Sequence, residues 1–288
     1  KRSPIYTSTY DCRCFSFCPK GDDTLKKVTY TNSVNGLSME FSSNSPEMHL
    51  DLREFDGCSV GATAITYKPV ELDGQRFISS SLNARTINLP VEFTAKSDGR
   101  YSRTGALAVW KKLLNTFVPL HEGWLVWTNG TESRRIRCRT AETPQLTQKL
   151  PYLFSASISL IADYPFWEST SEHSLAVAAS AAAVTVKNSC GIAVPLCIDV
   201  PSGGSQPLIY NRTAGCGISF AIAPEQSCTV DTRECTVTLA DGTYANHLLN
   251  VDSEFFRLLP GNNELQILGV GSGDSAVIRW RDQFMGVH

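Results

Sequence analysis

Apolar and polar residues alternate through much of the chain. This alternation predicts β-strands, because successive side chains of a strand point to opposite faces of a sheet. Residues 86–94 show the pattern clearly, and their apolar positions are Ile87, Leu89, Val91 and Phe93. The pair Asn35-Gly36 separates two further runs and is typical of a tight hairpin turn. Similar runs separated by turn residues recur to the end of the chain, so the sequence predicts a mainly β protein.

One segment departs from this pattern and predicts an α-helix over about residues 104–118. Its apolar residues recur at steps of three and four and form one stripe, which consists of Leu107, Trp110, Leu114 and Phe117. Ser102 or Thr104 can cap the start, and Pro119 prevents continuation. We expect the stripe to cover a sheet; the alternative is a surface that binds a partner.

The composition changes at residues 162–169, and we interpret this stretch as the seam between two domains. Residues 154–160 alternate as a strand, whereas residues 174–183 are nearly all Ser, Ala and Val. Pro165 cannot donate a ladder hydrogen bond, so the strand should end there, and we expect Phe166 and Trp167 to pack at the interdomain seam. The length of 288 residues favours about two domains. We predict an extension of uncertain order over 1–26, a β domain over 27–168 and a second over 169–288.

Residues 68–85 predict a projecting hairpin with Asp73-Gly74 at its turn. The segment is polar around this turn, yet it carries five apolar residues, namely Val70, Leu72, Phe77, Ile78 and Leu82. We favour an arm that lays these side chains on another subunit. The alternative is a hairpin that folds back on its own domain.

A second predicted hairpin, over residues 124–140, carries four arginines in its second strand, namely Arg134, Arg135, Arg137 and Arg139. They could bind phosphate or an acidic partner. Alternatively, they belong to a solvated edge strand, where their charge prevents pairing with another strand. The net charge of the chain is −2, so we favour an edge strand or a subunit interface, with Arg134 and Arg135 as interface candidates.

Composition and motifs exclude several classes of function. The chain lacks the basic excess of nucleic-acid binders and an apolar run of about 18 residues that could span a membrane. It contains no nucleotide-binding loop, HExxH helix or GxSxG elbow, and its five histidines show no metal-ligand spacing. We therefore predict no enzyme activity, no catalytic residues, no cofactor, no metal, no nucleic-acid binding and no membrane insertion.

The ten cysteines do not form a recognisable disulfide framework. We favour reduced, partly buried thiols over disulfides, and a secreted disulfide-rich β protein is the weaker alternative. Cys12, Cys14 and Cys18 crowd the N-terminus, but three thiols without a nearby His or a second Cys pair are a weak zinc pattern. We interpret residues 1–26 as a loosely attached extension.

Several motifs, taken in order, resemble the distal tail (Dit) family of phages with long non-contractile tails. They are the hairpin over 30–41, Asp73-Gly74, Arg85-Thr86-Ile87-Asn88-Leu89, the helix, Ala162-Asp163-x-Pro165-Phe166-Trp167, Asn188-x2-Gly191 with Pro195, residues 255–265 with their Pro260-Gly261-Asn262-Asn263 turn, and Ile278-Arg279-Trp280-Arg281. The resemblance covers about residues 28–288. Residues 1–26 and the cysteine count depart from the family pattern.

The resemblance implies a structural hub of the virion. The fold expected from it is an N-terminal β-sandwich with one covering helix and a hairpin arm, followed by a galectin-like or jelly-roll β-sandwich. Six copies would form a homo-hexameric ring through the N-terminal domains. Its partners would be the tail tube protein, the tail-tip (tail-associated) protein and the tape measure protein. The ring would be assembled in the cytoplasm of the bacterial host and located at the phage tail tip.

A carbohydrate-binding β-sandwich module that recognises the host surface is the alternative function. In that hypothesis Trp280 or Trp124 provides a stacking platform for a host-surface carbohydrate. Exposed aromatic residues near a groove would favour it, whereas an isolated hexamer would favour the hub.

Overall fold

Strands dominate the part of the chain that the computed structural model describes, which comprises residues 6–10, 26–45, 47–51, 55, 57, 59–68, 73–97, 100–178, 182–271 and 275–287. Only the backbone is described for residues 6–10 and Ser97. The prediction of a mainly β protein is confirmed. The chain divides into a first unit, Lys1–Trp167 with Met285–His288, and a second unit, Glu168–Phe284.

The elements are numbered in chain order. The first unit contains β1 (Tyr6–Tyr10), β2 (Lys26–Asn32), β3 (Ser38–Ser42), β4 (Met48–Leu50), β5 (Ala62–Tyr67), β6 (Arg76–Leu82), β7 (Arg85–Phe93), β8 (Lys96–Ser97), β9 (Arg100–Tyr101), α1 (Arg103–Thr116), β10 (Glu122–Asn129), β11 (Glu132–Thr140), β12 (Gln145–Leu150) and β13 (Leu153–Ala162). The unit boundary falls within β14 (Trp167–Ser169). The second unit contains β15 (His173–Ala178), β16 (Val184–Asn188), β17 (Leu196–Val200), β18 (Leu208–Asn211), β19 (Cys216–Ser219), β20 (Cys228–Asp231), β21 (Thr236–Leu239), a short 3-10 helix (Asn246–Leu248), β22 (Gly261–Leu268), β23 (Ser275–Trp280) and β24 (Gln283–Phe284).

Seven strands of the first unit close into a barrel, in the order β13-β7-β4-β3-β2-β10-β11 and back to β13. Strand β13 makes the closure possible because it has partners on both sides. It pairs with β7 from Phe154 to Ala162, while its other side pairs with β12 in its first half and with β11 at Leu160 and Ile161. The sequence analysis expected a two-layer sandwich in this unit, and the closed sheet corrects that expectation.

The predicted alternation fills the barrel interior. Along β7 the buried positions are Arg85, Ile87, Leu89, Val91 and Phe93, and β2, β3, β10, β11 and β13 alternate in the same way. Large side chains from facing strands therefore meet inside the closed sheet.

Helix α1 covers the barrel end at which β7 finishes. The Ser102 side chain accepts a hydrogen bond from the Gly105 amide at 3.2 Å, so the predicted N-cap is confirmed. Phe117 follows the helix, is fully buried and stacks on Tyr30 with ring centroids 4.5 Å apart. Trp110 stacks on Phe93 at 6.2 Å.

The buried face of α1 differs from the predicted stripe. Its fully buried apolar residues are Ala106 and Leu113, whereas Leu107 is 37% exposed and Leu114 is half-buried. The prediction was based on the large apolar side chains, whereas small residues make the closest approach between α1 and the chain that follows β7. A side chain on Gly105 would lie only 3.0 Å from the Cβ of Ala95. The helix start therefore sits close to the strand end, and Ala106 faces inward.

The second unit consists of two antiparallel sheets that share one apolar core. One sheet has the order β15-β23-β17-β20-β21 and the other β16-β22-β18-β19. Buried residues of both sheets form a single cluster, for example Ile198, Val230 and Ile278 with Ile209, Leu265 and Ile267. The galectin-like topology expected from the sequence stays a prediction.

Three buried asparagines hold the turns of the four-stranded sheet. Asn263 accepts a hydrogen bond from the Leu259 amide at 2.9 Å and donates to the Leu259 carbonyl at 2.7 Å. Asn188 donates to the Leu258 carbonyl at 2.9 Å. Asn211 donates to Asn263 at 3.2 Å. These contacts explain two of the sequence motifs, around Asn188 and around Gly261, as structural turns.

The helix packing predicts different costs for two substitutions in α1 and its cap. Phe117→Ala removes a fully buried ring and leaves a cavity, so we expect a loss of about 3–5 kcal/mol in the free energy of unfolding. Leu107→Ala removes a partly exposed side chain, and we expect a change within about 0.5 kcal/mol. Denaturant unfolding followed by circular dichroism measures both. Equal losses for the two variants would contradict the assigned buried face.

Candidate functional site

The predicted arm is present as the hairpin formed by β5 and β6. The structure begins its first strand at Ala62, earlier than the predicted range of 68–85, and pairs it with β6 and, on its other side, with β1. Gly74 forms the turn with a φ of +86°, a conformation that glycine adopts without strain. We define the arm as residues 62–82. Val70 and Leu72, two of the interface candidates, lie outside the described residues.

Side-chain hydrogen bonds hold both ends of the arm. Thr66 donates to the Gln75 side chain at 2.9 Å near the turn. At the root, Thr63 donates to the Asn83 side chain at 2.8 Å, and the Asn83 amide donates to the Gly61 carbonyl at 2.8 Å. These bonds join the two strands of the arm near its turn and at its root.

All seven residues of β6 are exposed. Phe77 is 64% exposed, Ile78 56% and Leu82 37%. In the three-stranded sheet β6 is also an edge strand, so its outer backbone groups and its apolar side chains both face solvent. A strand with exposed apolar residues and an open edge is suited to contact another protein surface.

Arg85 lies buried where the arm joins β7. Its guanidinium donates to the Pro165 carbonyl at 2.8 Å, to the Gly57 carbonyl at 3.0 Å, to the Ser59 carbonyl at 3.1 Å and to the Met285 carbonyl. A buried charge is stable when hydrogen bonds replace its hydration. The sequence analysis did not identify this role, although Arg85 is in phase with the inward positions of β7.

The seam residues surround the same group. The Pro165 carbonyl is bound by Arg85, as above, and Trp167 is fully buried with its indole N–H donating to the Gly57 carbonyl at 2.9 Å. Phe166 is half-buried and packs edge-to-face against Tyr164 with ring centroids 5.1 Å apart. All of these contacts lie within the first unit.

Residues Met285–His288 belong to the first unit, whereas the sequence analysis assigned them to the second domain. Two arginines account for the difference: Arg85 binds the Met285 carbonyl and Arg134 the Gly286 carbonyl, the latter at 2.6 Å. Val287 is buried. These hydrogen bonds join residues that are far apart in the sequence, so the pattern of apolar and polar positions does not predict them.

The four arginines of β11 all have partners within the chain. Arg134 binds Gly286, as above, and Glu132 at 2.9 Å, and the Arg135 guanidinium lies 4.2 Å from the ring centroid of Trp124. Arg137 pairs with Glu122, and Arg139 pairs with Asp163 at 3.3 Å. Strand β11 has β10 on one side and β13 on the other, so the predicted edge strand is wrong. The role of Arg134 and Arg135 at an interface stays a prediction.

Both proposed carbohydrate platforms are partly covered by side chains of the chain itself. Arg135 lies over one face of Trp124, and His173 stacks on Trp280 with ring centroids 5.2 Å apart. A sugar ring needs an open aromatic face, so these contacts do not favour the carbohydrate-binding alternative.

The six described cysteines are Cys138, Cys190, Cys197, Cys216, Cys228 and Cys235. Burial raises the pKa of Cys138 well above its usual range. Burial, followed by the nearby Asp231, raises the pKa of Cys197 to about 11, and burial with Asp199 raises that of Cys228 to about 11. Cys12, Cys14, Cys18 and Cys58 lie outside the described residues.

The described residues hold no group of three or more His, Cys, Asp or Glu side chains that could bind a metal. None of the helices in this part of the chain is long and apolar enough to cross a membrane.

Comparison with known proteins identifies the fold. Residues 195–284 match the family model described as the siphovirus-type tail component, C-terminal domain. The matched residues lie within the second unit. The resemblance to the Dit family noted from the sequence is thereby confirmed.

Solved structures extend the match to both units. The Dit protein of phage SPP1, described as a paradigm of the hub adsorption apparatus in phages that infect Gram-positive bacteria, is 15% identical, with a TM-score of 0.67 over 89% of this chain and 99% of that one. A chain of the phage P2 baseplate in its activated conformation with Ca is 10% identical, with a TM-score of 0.51 over 91% of this chain and 99% of that one. No curated protein sequence matches significantly. At these identities the match shows a shared fold.

The Arg85 contacts predict a large stability loss for Arg85→Ala. The substitution leaves several carbonyls without their charged donor, and we expect a loss of about 3 kcal/mol or more in the free energy of unfolding. Arg85→Lys keeps the charge but cannot reach all the carbonyls, so it should recover only part of the loss. Arg139→Ala is the matched control, with an expected change of about 0–1 kcal/mol because its ion pair is largely exposed. Denaturant unfolding decides, and a loss for Arg85→Ala no larger than for the control would refute this role.

The thiol environments predict an order of chemical labelling at pH 8. Cys235 is exposed and should react in the folded protein, whereas Cys138 and Cys228 should react only after unfolding. A thiol with a pKa of about 11 is about one part in a thousand thiolate at pH 8. Folding raises the pKa of Cys228, so the protonated thiol favours the folded state. Its contribution to the free energy of unfolding is fully present below the ordinary pKa of 9.0 and is lost as the pH rises through about 11. Peptide mapping by mass spectrometry measures the order; native labelling of Cys138 at the rate of Cys235 would contradict it.

Proposed function

We propose that this protein is a structural hub component of a siphovirus-type phage tail, with its place at the tail tip of the virion. The observation that carries the proposal is the fold match to SPP1 Dit across 89% of this chain and 99% of that one, together with the family match in the second unit. The relative is described as a hub adsorption apparatus protein, and the second match as part of a baseplate.

The first unit forms the ring in this proposal, with six copies of the chain around a common axis. A closed ring of identical subunits needs a contact between two different surfaces of each copy. The arm supplies one of these surfaces, since Phe77, Ile78 and Leu82 project from an exposed strand. At about 25 cal/mol per Å2 of apolar area, burying these side chains favours assembly, and the hydrogen-bonded ends of the arm reduce the entropy lost when it binds.

The ring joins the tail tube protein to the tail-tip protein, and the tape measure protein is a further partner in the proposal. The role is architectural and requires no catalytic step, so the proposal does not depend on any of the thiols or histidines described above.

Changing the arm tests the proposal. The intact protein should show a mass of six times 31.5 kDa by light scattering. The triple variant Phe77→Ser, Ile78→Ser, Leu82→Ser should show a lower mass at the same concentration, because it loses the apolar contact but keeps the strand. The double variant Ser79→Thr, Ser81→Thr changes the same strand without removing apolar surface and should keep the intact mass.

Two outcomes would count against different parts of the proposal. An intact protein that stays monomeric at every concentration would overturn the ring. A triple variant with the same mass as the intact protein would leave the ring but remove the arm from its contacts.

A further inference from the structure

The second unit contains a groove of about 280 Å3 between the segment that follows β19, the end of β21 and the short 3-10 helix. Its lining includes the apolar residues Ile222, Leu239 and Leu248 and the polar residues Glu225, Gln226 and His247. Leu239 and Leu248 also pack against the buried core of this unit, whereas Ile222 is 57% exposed. The apolar interior of the unit therefore reaches solvent in this groove.

Main-chain hydrogen bonds hold the walls of the groove. The Ala221 amide donates to the Leu248 carbonyl at 2.8 Å, which joins the segment after β19 to the 3-10 helix. The Ala240 amide donates to the Ser227 carbonyl at 3.0 Å, which joins the end of β21 to the start of β20. Because these walls are in place before any ligand binds, little conformational entropy is lost when the groove is filled.

The chain that forms the groove is acidic. Between Arg212 and Arg257 it carries six acidic residues and one basic residue, Arg233, although the net charge of the whole chain is only −2. Arg233 is already paired with Glu168 at 2.9 Å and with Glu234 at 3.4 Å. This segment therefore gives its surroundings a negative electrostatic potential, which attracts a basic partner.

Two carboxylates lie at the groove itself. Glu225 lines it, and Asp241 accepts a hydrogen bond at 3.4 Å from the side chain of Gln226, another lining residue. Hydrogen bonds from Thr243 lower the pKa of Asp241 below its usual value, so this carboxylate is charged at neutral pH. Within the described residues, neither Glu225 nor Asp241 forms an ion pair.

We infer that the groove binds a basic segment of a partner protein, with one large apolar side chain in the groove and a neighbouring lysine or arginine against Glu225 and Asp241. The apolar lining and the two carboxylates are complementary to these two parts of the segment. A volume of about 280 Å3 lies at the lower limit of small-molecule pockets and suits a single side chain. The inference deepens the proposed function and rests on it for the source of the segment, which is another protein of the phage tail.

Two other occupants are less compatible with the groove. A nucleic acid or an anionic lipid would bring phosphate groups against carboxylates, which repel them. A second copy of this chain that presented the same surface would place Glu225 and Asp241 opposite like charges. A basic segment avoids both conflicts.

Peptide binding to the full-length protein tests the inference. The probes are fluorescein-labelled peptides of glycine and serine with a central leucine or phenylalanine and a lysine or arginine on each side. Two matched sets replace the basic residues with glutamate or the central residue with serine. Fluorescence anisotropy should show saturable binding of the basic apolar set, binding at least about tenfold weaker for both matched sets, and weaker binding at higher salt. Equal binding of all three sets, or no binding of the basic apolar set, would overturn the inference.

Substitutions locate the binding on the protein. Ile222→Ser, and separately Glu225→Gln with Asp241→Asn, should each weaken binding of the basic apolar peptides by at least about tenfold. Val251→Ser is the matched apolar control, because Val251 is fully exposed and does not line the groove; binding should be unchanged. Circular dichroism checks that each variant is folded. Groove variants that bind the peptides as tightly as the intact protein would contradict the assignment.

A charge control separates a local contact from the overall charge of the protein. Glu47→Gln with Glu142→Gln removes two exposed acidic residues of the first unit, and peptide binding should stay within about twofold of the intact protein. A loss equal to that of the double substitution at Glu225 and Asp241 would mean that net charge alone attracts the peptides, and the inference would be wrong.

The mass of the protein distinguishes this inference from the proposed ring. Ile222→Ser should keep the mass of the intact protein in light scattering, because the groove receives a different protein. A lower mass for this variant would mean that a second copy fills the groove, which contradicts the inference. A protein that binds the peptides but forms no ring refutes the proposed function alone, whereas a ring that binds none of the peptides refutes only the groove as a binding site.

Discussion

The guanidinium of Arg85 has almost no access to solvent, and main-chain carbonyls from three distant segments accept its hydrogen bonds in place of water. These segments are the chain at Gly57 to Ser59, the exit from β13 at Pro165, and the chain end at Met285. The same residue pairs with Ala162 in the barrel ladder. One side chain therefore fixes the root of the arm, the end of the long closing strand and the C-terminal residues, and a neutral or shorter side chain could not do all three.

The exposed strand β6 depends on that fixed root. A two- or three-stranded sheet without a core is marginal by itself, and every residue of β6 faces solvent. Hydrogen bonds from Thr63 and Thr66 hold the hairpin ends, and Arg85 holds the chain just beyond them. The apolar side chains of the arm are thus presented in a defined arrangement before any partner is bound, which lowers the entropy lost on binding.

In the second unit, neutral side chains make the hydrogen bonds that hold main-chain groups in place. Buried asparagines, rather than an arginine, supply donors and acceptors to the turns between its strands, and Asn263 does both for Leu259. An amide can satisfy a carbonyl and an amide N–H at once, whereas a guanidinium can only donate. Asn211 and Asn263 both fall within the matched residues 195–284.

The sequence by itself determined the local elements, because their causes are local. Alternation placed the strands, Ser102 and Pro119 bounded the helix to within a few residues, and apolar residues beside Asp73-Gly74 indicated an exposed hairpin. It also carried enough turn motifs to indicate the family. Contacts between distant residues were decided only by the tertiary structure. Two residue pairs between β11 and β13 convert an expected sandwich into a barrel, and the close approach of Gly105 to Ala95 selects the inward face of α1. Arg139 and Arg134 also meet Asp163 and Gly286 only once distant segments come together. Arg85 best shows what the sequence could not predict. Its position in the alternation of β7 indicates that it faces inward. The carbonyls that make a buried charge tolerable, however, come from segments that only folding brings together.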